Sequence, residues 1–257
     1  MKENKRAISS SRQAPLRHDI CSDEIREWVR KIHSFRLSFV ERTAYGKFLD
    51  YGCGTGYVAK ALQGRVEYTG VDVDPEIVAE AQSVYGTYGH FEVIRDNKLP
   101  YSDGTFDSAA SLEVIEHLPK DKHAGFIDEI TRVLKPGAPL VISTPNRIYP
   151  VKVFKKRFLR WHNPYHLYEY RPHEFLSFLA SKGLVICDIQ YMGDPLNLFG
   201  NPVGRLALNV LPAEVRSRLL RAGLRAGRLC PAWCYDILAT TRTPPSTGHE
   251  QCIKRMQ

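Results

Sequence analysis

The sequence predicts a doubly wound α/β fold, in which a mostly parallel sheet of seven strands is covered by helices on both faces. The main observation is that short apolar segments alternate with segments of helical periodicity from Lys47 to Arg242. A second observation is a glycine-rich turn between the first strand and the helix that follows it. The third is size, because 257 residues with 43% hydrophobic content can bury one large core.

Each element is indicated by its own local signals. The helix predicted over residues 22–42 has apolar residues at near-helical spacing, and Pro75 opens another helix that Gly86 closes. A further helix is stopped by Pro136 and Gly137. The predicted strands cover residues 47–52, 65–74, 90–96, 106–112, 138–146, 184–192 and 233–242. The predicted helices cover residues 22–42, 57–64, 75–86, 124–137 and 171–183.

We expect one domain over residues 22–243, with a disordered basic arm over 1–21 and a flexible tail over 244–257. The arm lacks the apolar stretch of a secretory signal, and no apolar run is long enough to predict a transmembrane helix. Two segments, 147–170 and 193–231, interrupt the alternation. We expect them to form a lid over the carboxyl edge of the sheet, where such folds bind ligands. Six scattered cysteines favour a reducing, cytoplasmic setting over a disulfide framework.

The turn "DYGCGTG" after the first predicted strand is the strongest local signal for a ligand site. Gly52, Gly54 and Gly56 permit a tight backbone path, and the next helix begins with unpaired N–H groups. Asp72 ends the second strand, where an acid can accept hydrogen bonds from both hydroxyls of a ribose. An acid at Asp50 does not suit a pyrophosphate. It suits a ligand with a cationic amino group, such as S-adenosylmethionine.

The chain resembles the Rossmann-like class I S-adenosylmethionine-dependent methyltransferases from Lys47 to Tyr191. Five motifs occur in the family's order: "LDYGCGTG", "GVDVDP", "RDNKLPYSDGTFD", "SLEVIEHL" and "RVLKPGAPLVISTPN". The resemblance implies that the last strand runs antiparallel and that the protein binds S-adenosylmethionine. By this resemblance, Asp50 would face the methionine end of the cofactor, Asp72 would hold its ribose, and Asp96 would contact its adenine. The cofactor-binding residues it implies are Asp50, Gly52, Cys53, Gly54, Gly56, Asp72, Val73, Asp96 and Asn97.

The segment "SLEVIEHL" borders both methyl donor and acceptor in that family. If a helical turn begins near Glu113, then Glu113 and His117 share a face, with Glu116 beside them. One interpretation is structural, with a packed and hydrogen-bonded histidine. A second makes His117 a general base that takes a proton from an acceptor hydroxyl. A third makes Glu113, Glu116 and His117 ligands of Mg²⁺, Mn²⁺ or Zn²⁺.

A more specific similarity favours the third interpretation without excluding the others. "EVIEH" followed by "STPN" resembles the metal-dependent branch that includes small-RNA terminal 2′-O-methyltransferases and ubiquinone-pathway O-methyltransferases. That branch implies a further ligand, for which Asn146, His162 and His166 are the candidates. His166 is also a second candidate base. The candidate catalytic residues are therefore His117, Glu113 and His166, and spacing alone leaves the three interpretations open.

Positive charge is concentrated in the second part of the chain. Residues 147–257 carry 17 Lys and Arg against 7 Asp and Glu, although the whole chain has a net charge of only +8. The first insertion mixes cations with aromatic residues, a composition suited to stacking on bases, sugars or quinone rings beside phosphates. In the second, the arginines from Arg218 to Arg228 lie on one arc of a predicted amphipathic helix. Such a helix covers an active site, contacts an anionic membrane, or simply presents a solvated basic face.

We expect the protein to transfer a methyl group from S-adenosylmethionine to a hydroxyl of a small molecule. Quinones or phenols, saccharides and lipid-linked compounds are the candidate acceptors. Methylation of an RNA 2′-hydroxyl is an alternative, against which no compact RNA-binding module is visible. A non-catalytic partner protein that binds the cofactor is another. The expected location is the cytoplasm, with peripheral contact to an anionic membrane as an option.

Overall fold

A computed structural model describes residues 23–147, 163–192 and 236–244, together with Val215. The helices are α1 (Asp23–Thr43), α2 (Tyr57–Ala61), α3 (Pro75–Tyr85), α4 (His123–Val133) and α5 (Pro172–Ser181). The strands are β1 (Lys47–Tyr51), β2 (Glu67–Asp72), β3 (His90–Val93), β4 (Ser108–Leu112), β5 (Pro139–Pro145), β6 (Val185–Met192) and β7 (Asp236–Arg242). Two short 3₁₀ turns, Ile115–His117 and Lys120–Lys122, join β4 to α4.

The seven strands form one sheet in the order β3-β2-β1-β4-β5-β7-β6. The pairs among the first five strands are parallel, whereas β7 runs antiparallel to β5 and to β6. The predicted fold is therefore confirmed, including the antiparallel insertion of the last strand. All seven predicted strands and five predicted helices occur. The helix predicted over residues 57–64 is shorter in the structure than predicted, because it ends at Ala61.

The sheet buries both of its faces, because alternate residues of each strand point to opposite sides. Leu49 of β1 packs with Phe126 of α4 and Phe175 of α5. Its neighbour Phe48 packs on the other face with Val40 of α1 and with residues of α2 and α3. This burial explains the continuous apolar runs of the central strands, which a parallel sheet with two covered faces requires.

The topology brings the candidate residues to one edge. Strand order reverses between β1 and β4, so the carboxyl ends of these two strands flank the crevice where open α/β sheets bind ligands. The glycine-rich turn follows β1, and "EVIEH" follows β4. Asn146 follows β5, is fully buried and forms an isolated parallel bridge with Tyr170.

Several predictions concern residues outside the described ranges. They include the basic arm over 1–21, the basic helix within 193–231, nearly all of the tail over 244–257, and His162. Within the ranges that are described, no helix combines the length and apolar character needed to cross a bilayer.

Candidate active site at the carboxyl edge of the sheet

Two glycines of the glycine-rich turn, Gly52 and Gly54, have different surroundings. Gly52 has a φ of 81°, and a Cβ there would lie 2.3 Å from Cγ2 of Val114, so no side chain fits. Gly54 has a φ of 51°, but a Cβ there would meet nothing within 4 Å. The turn is therefore packed against the segment after β4, while the main chain at Gly54 stays open to a ligand.

Asp72 supports this turn from the end of β2. One carboxylate oxygen accepts a 3.1 Å hydrogen bond from the amide of Gly54, and the other accepts one of the same length from Asp74. Burial raises the pKa of Asp72, and these backbone donors oppose the rise. Each carboxylate oxygen has two acceptor positions, so Asp72 retains capacity for the ribose hydroxyls proposed as its partners.

Asp50 and Cys53 belong to this turn segment, and their side chains are almost completely buried. The hydroxyl of Tyr68 donates a 2.6 Å hydrogen bond to the Asp50 carboxylate. Burial raises the pKa of Asp50 to about 7, the bond from Tyr68 lowers it, and the charge of Asp72 raises it. Burial also raises the pKa of the Cys53 thiol, so this group remains protonated and serves as a packed side chain.

The predicted adenine-contacting residues form a tight turn after β3. Asp96 and Asn97 both have a φ of 54°, a conformation that short polar side chains tolerate better than most. The amide of Lys98 closes the turn by donating to the carbonyl of Arg95 at 3.0 Å. The Tyr51 hydroxyl donates to the carbonyl of Asn97, which ties the turn to the end of β1. The Asp96 side chain is exposed and Asn97 is half-buried.

Glu113 departs from the geometry predicted for it. No helical turn begins there, because Glu113 has a φ of 58° and the 3₁₀ turn starts only at Ile115. Its carboxylate forms a 2.9 Å ion pair with Arg36 of α1 and accepts a 2.8 Å hydrogen bond from Ser143 of β5. The expectation that Glu113 shares a face with His117 is therefore wrong, since the backbone reversal turns its carboxylate towards α1 and β5.

Glu116, His117 and His166 form the group that the structure does bring together. One ligand atom from each lies within 4.8 Å of the others. The two imidazole rings meet edge to face, with centroids 5.1 Å apart, and Nε2 of His117 is 4.0 Å from Oε1 of Glu116. The other oxygen of the buried Glu116 carboxylate accepts a hydrogen bond from Thr144. Burial lowers the pKa of His117, the hydrogen bond with the carbonyl of Tyr165 opposes this, and His166 adds to the lowering, so the neutral ring predominates at pH 7.

Backbone hydrogen bonds hold the two halves of this group together. The amides of Leu167 and Tyr168 both donate to the carbonyl of Glu116, at 2.7 and 3.2 Å. The sequence offered His166 and His117 as candidates but gave no sign that Glu169 contacts the first and the carbonyl of Tyr165 the second. Their only signal is proximity in the chain to "NPYHLYEY", a segment with no regular periodicity to predict which side chains meet.

Together, sheet order and site define a class of protein. A glycine-rich turn after β1, an acid ending β2 and an antiparallel β7 between β5 and β6 are the arrangement of a class I methyltransferase fold. Residues 49–142 also match the family model described as "Methyltransferase domain". Residues 49–142 therefore match a methyltransferase domain, within a sheet that has the class I arrangement.

The individual relatives are also named as methyltransferases, but their names differ in the atom that is methylated. The chain is 43% identical over 101 residues to norajmaline N-methyltransferase of Rauvolfia serpentina, covering 37% of this chain and 34% of that protein. It is 28% identical over 181 residues to the ubiquinone biosynthesis O-methyltransferase of Xylella fastidiosa, covering 64% of this chain and 72% of that protein. For two further methyltransferase relatives, the match spans 60% and 56% of the relative's own length.

A solved structure shares the fold at low identity. The crystal structure of the cyclase SpnF superposes with a TM-score of 0.58 and 23% identity, covering 83% of this chain and 81% of that one. This likeness concerns the fold alone. The chemistry has to be argued from the site.

Proposed function

We propose that the protein transfers a methyl group from S-adenosylmethionine to a hydroxyl group of a small molecule. The observation that carries this proposal is a neutral, half-buried His117 next to His166 and Glu116, on the segment packed against the glycine-rich turn. Val114 lies directly over Gly52, so "EVIEH" adjoins the turn that would hold the methyl donor. A base at this place can reach an acceptor that sits between the turn and the histidines.

Bound S-adenosylmethionine would supply a methyl group on a sulfonium, which makes the leaving group a neutral thioether. Residues of this chain then have two tasks, to align the acceptor oxygen and to take its proton. His117 is suited to the second, because burial keeps its ring neutral and able to accept a proton. Asp50, Gly54 and Asp72 would hold this methyl donor, and His117 would accept the hydroxyl proton of the acceptor.

A hydroxyl acceptor is favoured over an amine for two reasons. A hydroxyl loses its proton reluctantly and benefits from a positioned base, whereas a neutral amine attacks without one. The relative named as an O-methyltransferase also aligns over 72% of its own length, against 34% for the one named as an N-methyltransferase. Phenolic or quinol compounds, saccharides and lipid-linked molecules remain the proposed acceptors.

A divalent ion held by Glu116, His117 and His166 is a second proposal for the same group. Two imidazoles and one carboxylate suit Mn²⁺ or Zn²⁺ better than Mg²⁺, which prefers oxygen ligands. Such an ion would lower the pKa of an acceptor hydroxyl. Glu113 is left out of this ligand set, because its carboxylate is bound to Arg36 and Ser143.

One set of measurements tests both proposals. Purified protein and isotope-labelled S-adenosylmethionine are added to a cell extract, and mass spectrometry identifies the labelled products. We expect a labelled small molecule carrying an O-methyl group. Labelled RNA would support the 2′-O-methylation alternative, and cofactor binding without any labelled product would support a non-catalytic partner protein.

Chelation and two variants then distinguish the metal proposal from the general-base proposal. If an ion is required, a chelator and Glu116→Ala both abolish turnover, and one added metal restores the chelated wild type. If His117 acts alone as the base, turnover survives the chelator and is lost in His117→Ala. Glu113→Gln is the matched control, because it removes a neighbouring carboxylate that lies outside the group.

A further inference from the structure

We propose that Glu169 is a positioning residue, which holds the imidazole of His166 in the tautomer whose Nε2 can accept a proton or bind an ion. Nδ1 of His166 lies 2.6 Å from Oε1 of Glu169, and both side chains are largely shielded from solvent. An ionised carboxylate can only accept, so Nδ1 carries the hydrogen, and in the neutral ring Nε2 is the nitrogen with the lone pair. The inference rests on the proposed function, since it assigns a role within the same group.

His117 is fixed in the same sense by a different partner. Its Nδ1 lies 2.9 Å from the carbonyl oxygen of Tyr165, which is also only an acceptor. Nε2 of His117 is again the nitrogen with a lone pair, and it is the atom 4.0 Å from the Glu116 carboxylate. Two neighbouring histidines therefore present the same nitrogen, and both are set by one short segment, residues 165–169.

That segment is held in place independently of the histidines. The amides of Leu167 and Tyr168 donate to the carbonyl of Glu116, and the amides of Tyr165 and His166 donate to Asn163. Glu169 therefore reaches His166 from a backbone that is already docked on the Ile115–His117 turn. A carboxylate behind a functional imidazole fixes ring orientation and raises its basicity, and loss of such a partner typically costs about 10- to 100-fold in activity or metal affinity.

The direct test is the tautomer itself, read by long-range ¹H–¹⁵N correlation spectra of the histidine side chains at neutral pH. In the wild type we expect His166 to carry its proton on Nδ1. Glu169→Ala should shift His166 towards the Nε2–H form, whereas Glu169→Gln, whose amide oxygen still accepts, should keep the Nδ1–H form. This readout needs neither an acceptor nor turnover, so its result stands apart from the success of the proposed function.

Kinetics and a control variant complete the test. Glu169→Ala should lower kcat about 10- to 100-fold with little change in the KM for S-adenosylmethionine, and Glu169→Gln should restore most of the loss. Glu174→Ala is the control, because Glu174 contacts Tyr168, Lys120 and Arg147 and, within the described part of the chain, no imidazole. The proposal is overturned if wild-type His166 is protonated on Nε2 alone. It is equally overturned if Glu169→Ala leaves the tautomer unchanged, or lowers kcat no more than Glu174→Ala does.

Discussion

The carboxyl group of Asp50 should make cofactor binding depend on pH. Burial raises its pKa to about 7, the hydrogen bond from Tyr68 partly opposes this rise, and the charge of Asp72 adds to it. Without a ligand, Asp50 is therefore about half protonated at pH ~7 and about 90% protonated at pH ~6. Few carboxyl groups titrate in this range, so proton release from Asp50 can be distinguished from that of other carboxyl groups.

Binding of S-adenosylmethionine should expel the proton from Asp50. The cofactor carries an ammonium and a sulfonium, and an opposite charge within roughly 4–6 Å lowers a carboxyl pKa by about 1–3 units. A decrease of about 2 units corresponds to ~2.7 kcal/mol, or roughly a hundredfold in affinity. The affinity should then rise almost tenfold per unit between pH ~5 and ~7 and become constant above that range. Near pH ~6, binding should release about 0.8 protons per site.

The assay is calorimetric titration of the cofactor at several pH values, in two buffers with different ionisation enthalpies. Asp50→Asn should abolish both proton release and the rise in affinity, because the amide does not titrate. Tyr68→Phe removes a hydrogen bond to the charged form, worth about 1.5–3 kcal/mol, so it should move the upper end of the rise upward by about 1–2 pH units. No proton release from the wild type near pH ~6, or equal release from Asp50→Asn, would refute the reasoning.

Three further perturbations follow from other contacts of the site. Asp72→Ala should weaken S-adenosylmethionine binding by about 1.5–3 kcal/mol in calorimetry, since it removes charge-assisted hydrogen bonds to the ribose and the support of the turn; unchanged affinity would contradict the ribose assignment. Gly52→Ala should lower the free energy of unfolding by roughly 2–4 kcal/mol in urea titrations, because the positive φ and the contact with Val114 both oppose a Cβ. Glu116→Ala should lower the affinity for Mn²⁺ or Zn²⁺ at least about tenfold, whereas Glu113→Gln should not; equal losses would place Glu113 back among the ligands.

The fold could be predicted because its signals are local and agree with one another. Apolar runs such as "APLVIS" are long enough for a buried strand and too short for a core helix, and the stops at Pro136 and Gly137 separate α4 from β5. The antiparallel direction of β7 came from the family resemblance, since periodicity contains no information on strand direction. The glycine-rich turn could be predicted from local signals as well, because three glycines just after Asp50, followed by an acid that ends β2, form an unusual motif.

The arrangement of the second half of the site could not be predicted in the same way. The direction of Glu113 depends on one left-handed backbone conformation, which a non-glycine residue adopts rarely and without a sequence signal. Its partner Arg36 comes from α1, far away in the chain. Likewise, the contact between His166 and Glu169 lies in an irregular segment, where no period of 2.0 or 3.6 tells which side chains face one another.

The carboxylates of Glu113 and Glu116 have different surroundings at this edge of the sheet. Glu113 is matched by the cation of Arg36, so its charge is neutralised where α1 closes over β4 and β5. Glu116 has two imidazoles nearby, and histidines can be neutral, protonated or bound to an ion. The charge of Glu116 is therefore the one whose compensation can change during a reaction. The proposed function therefore assigns a structural role to Glu113 and a chemical role to Glu116, within four residues of sequence.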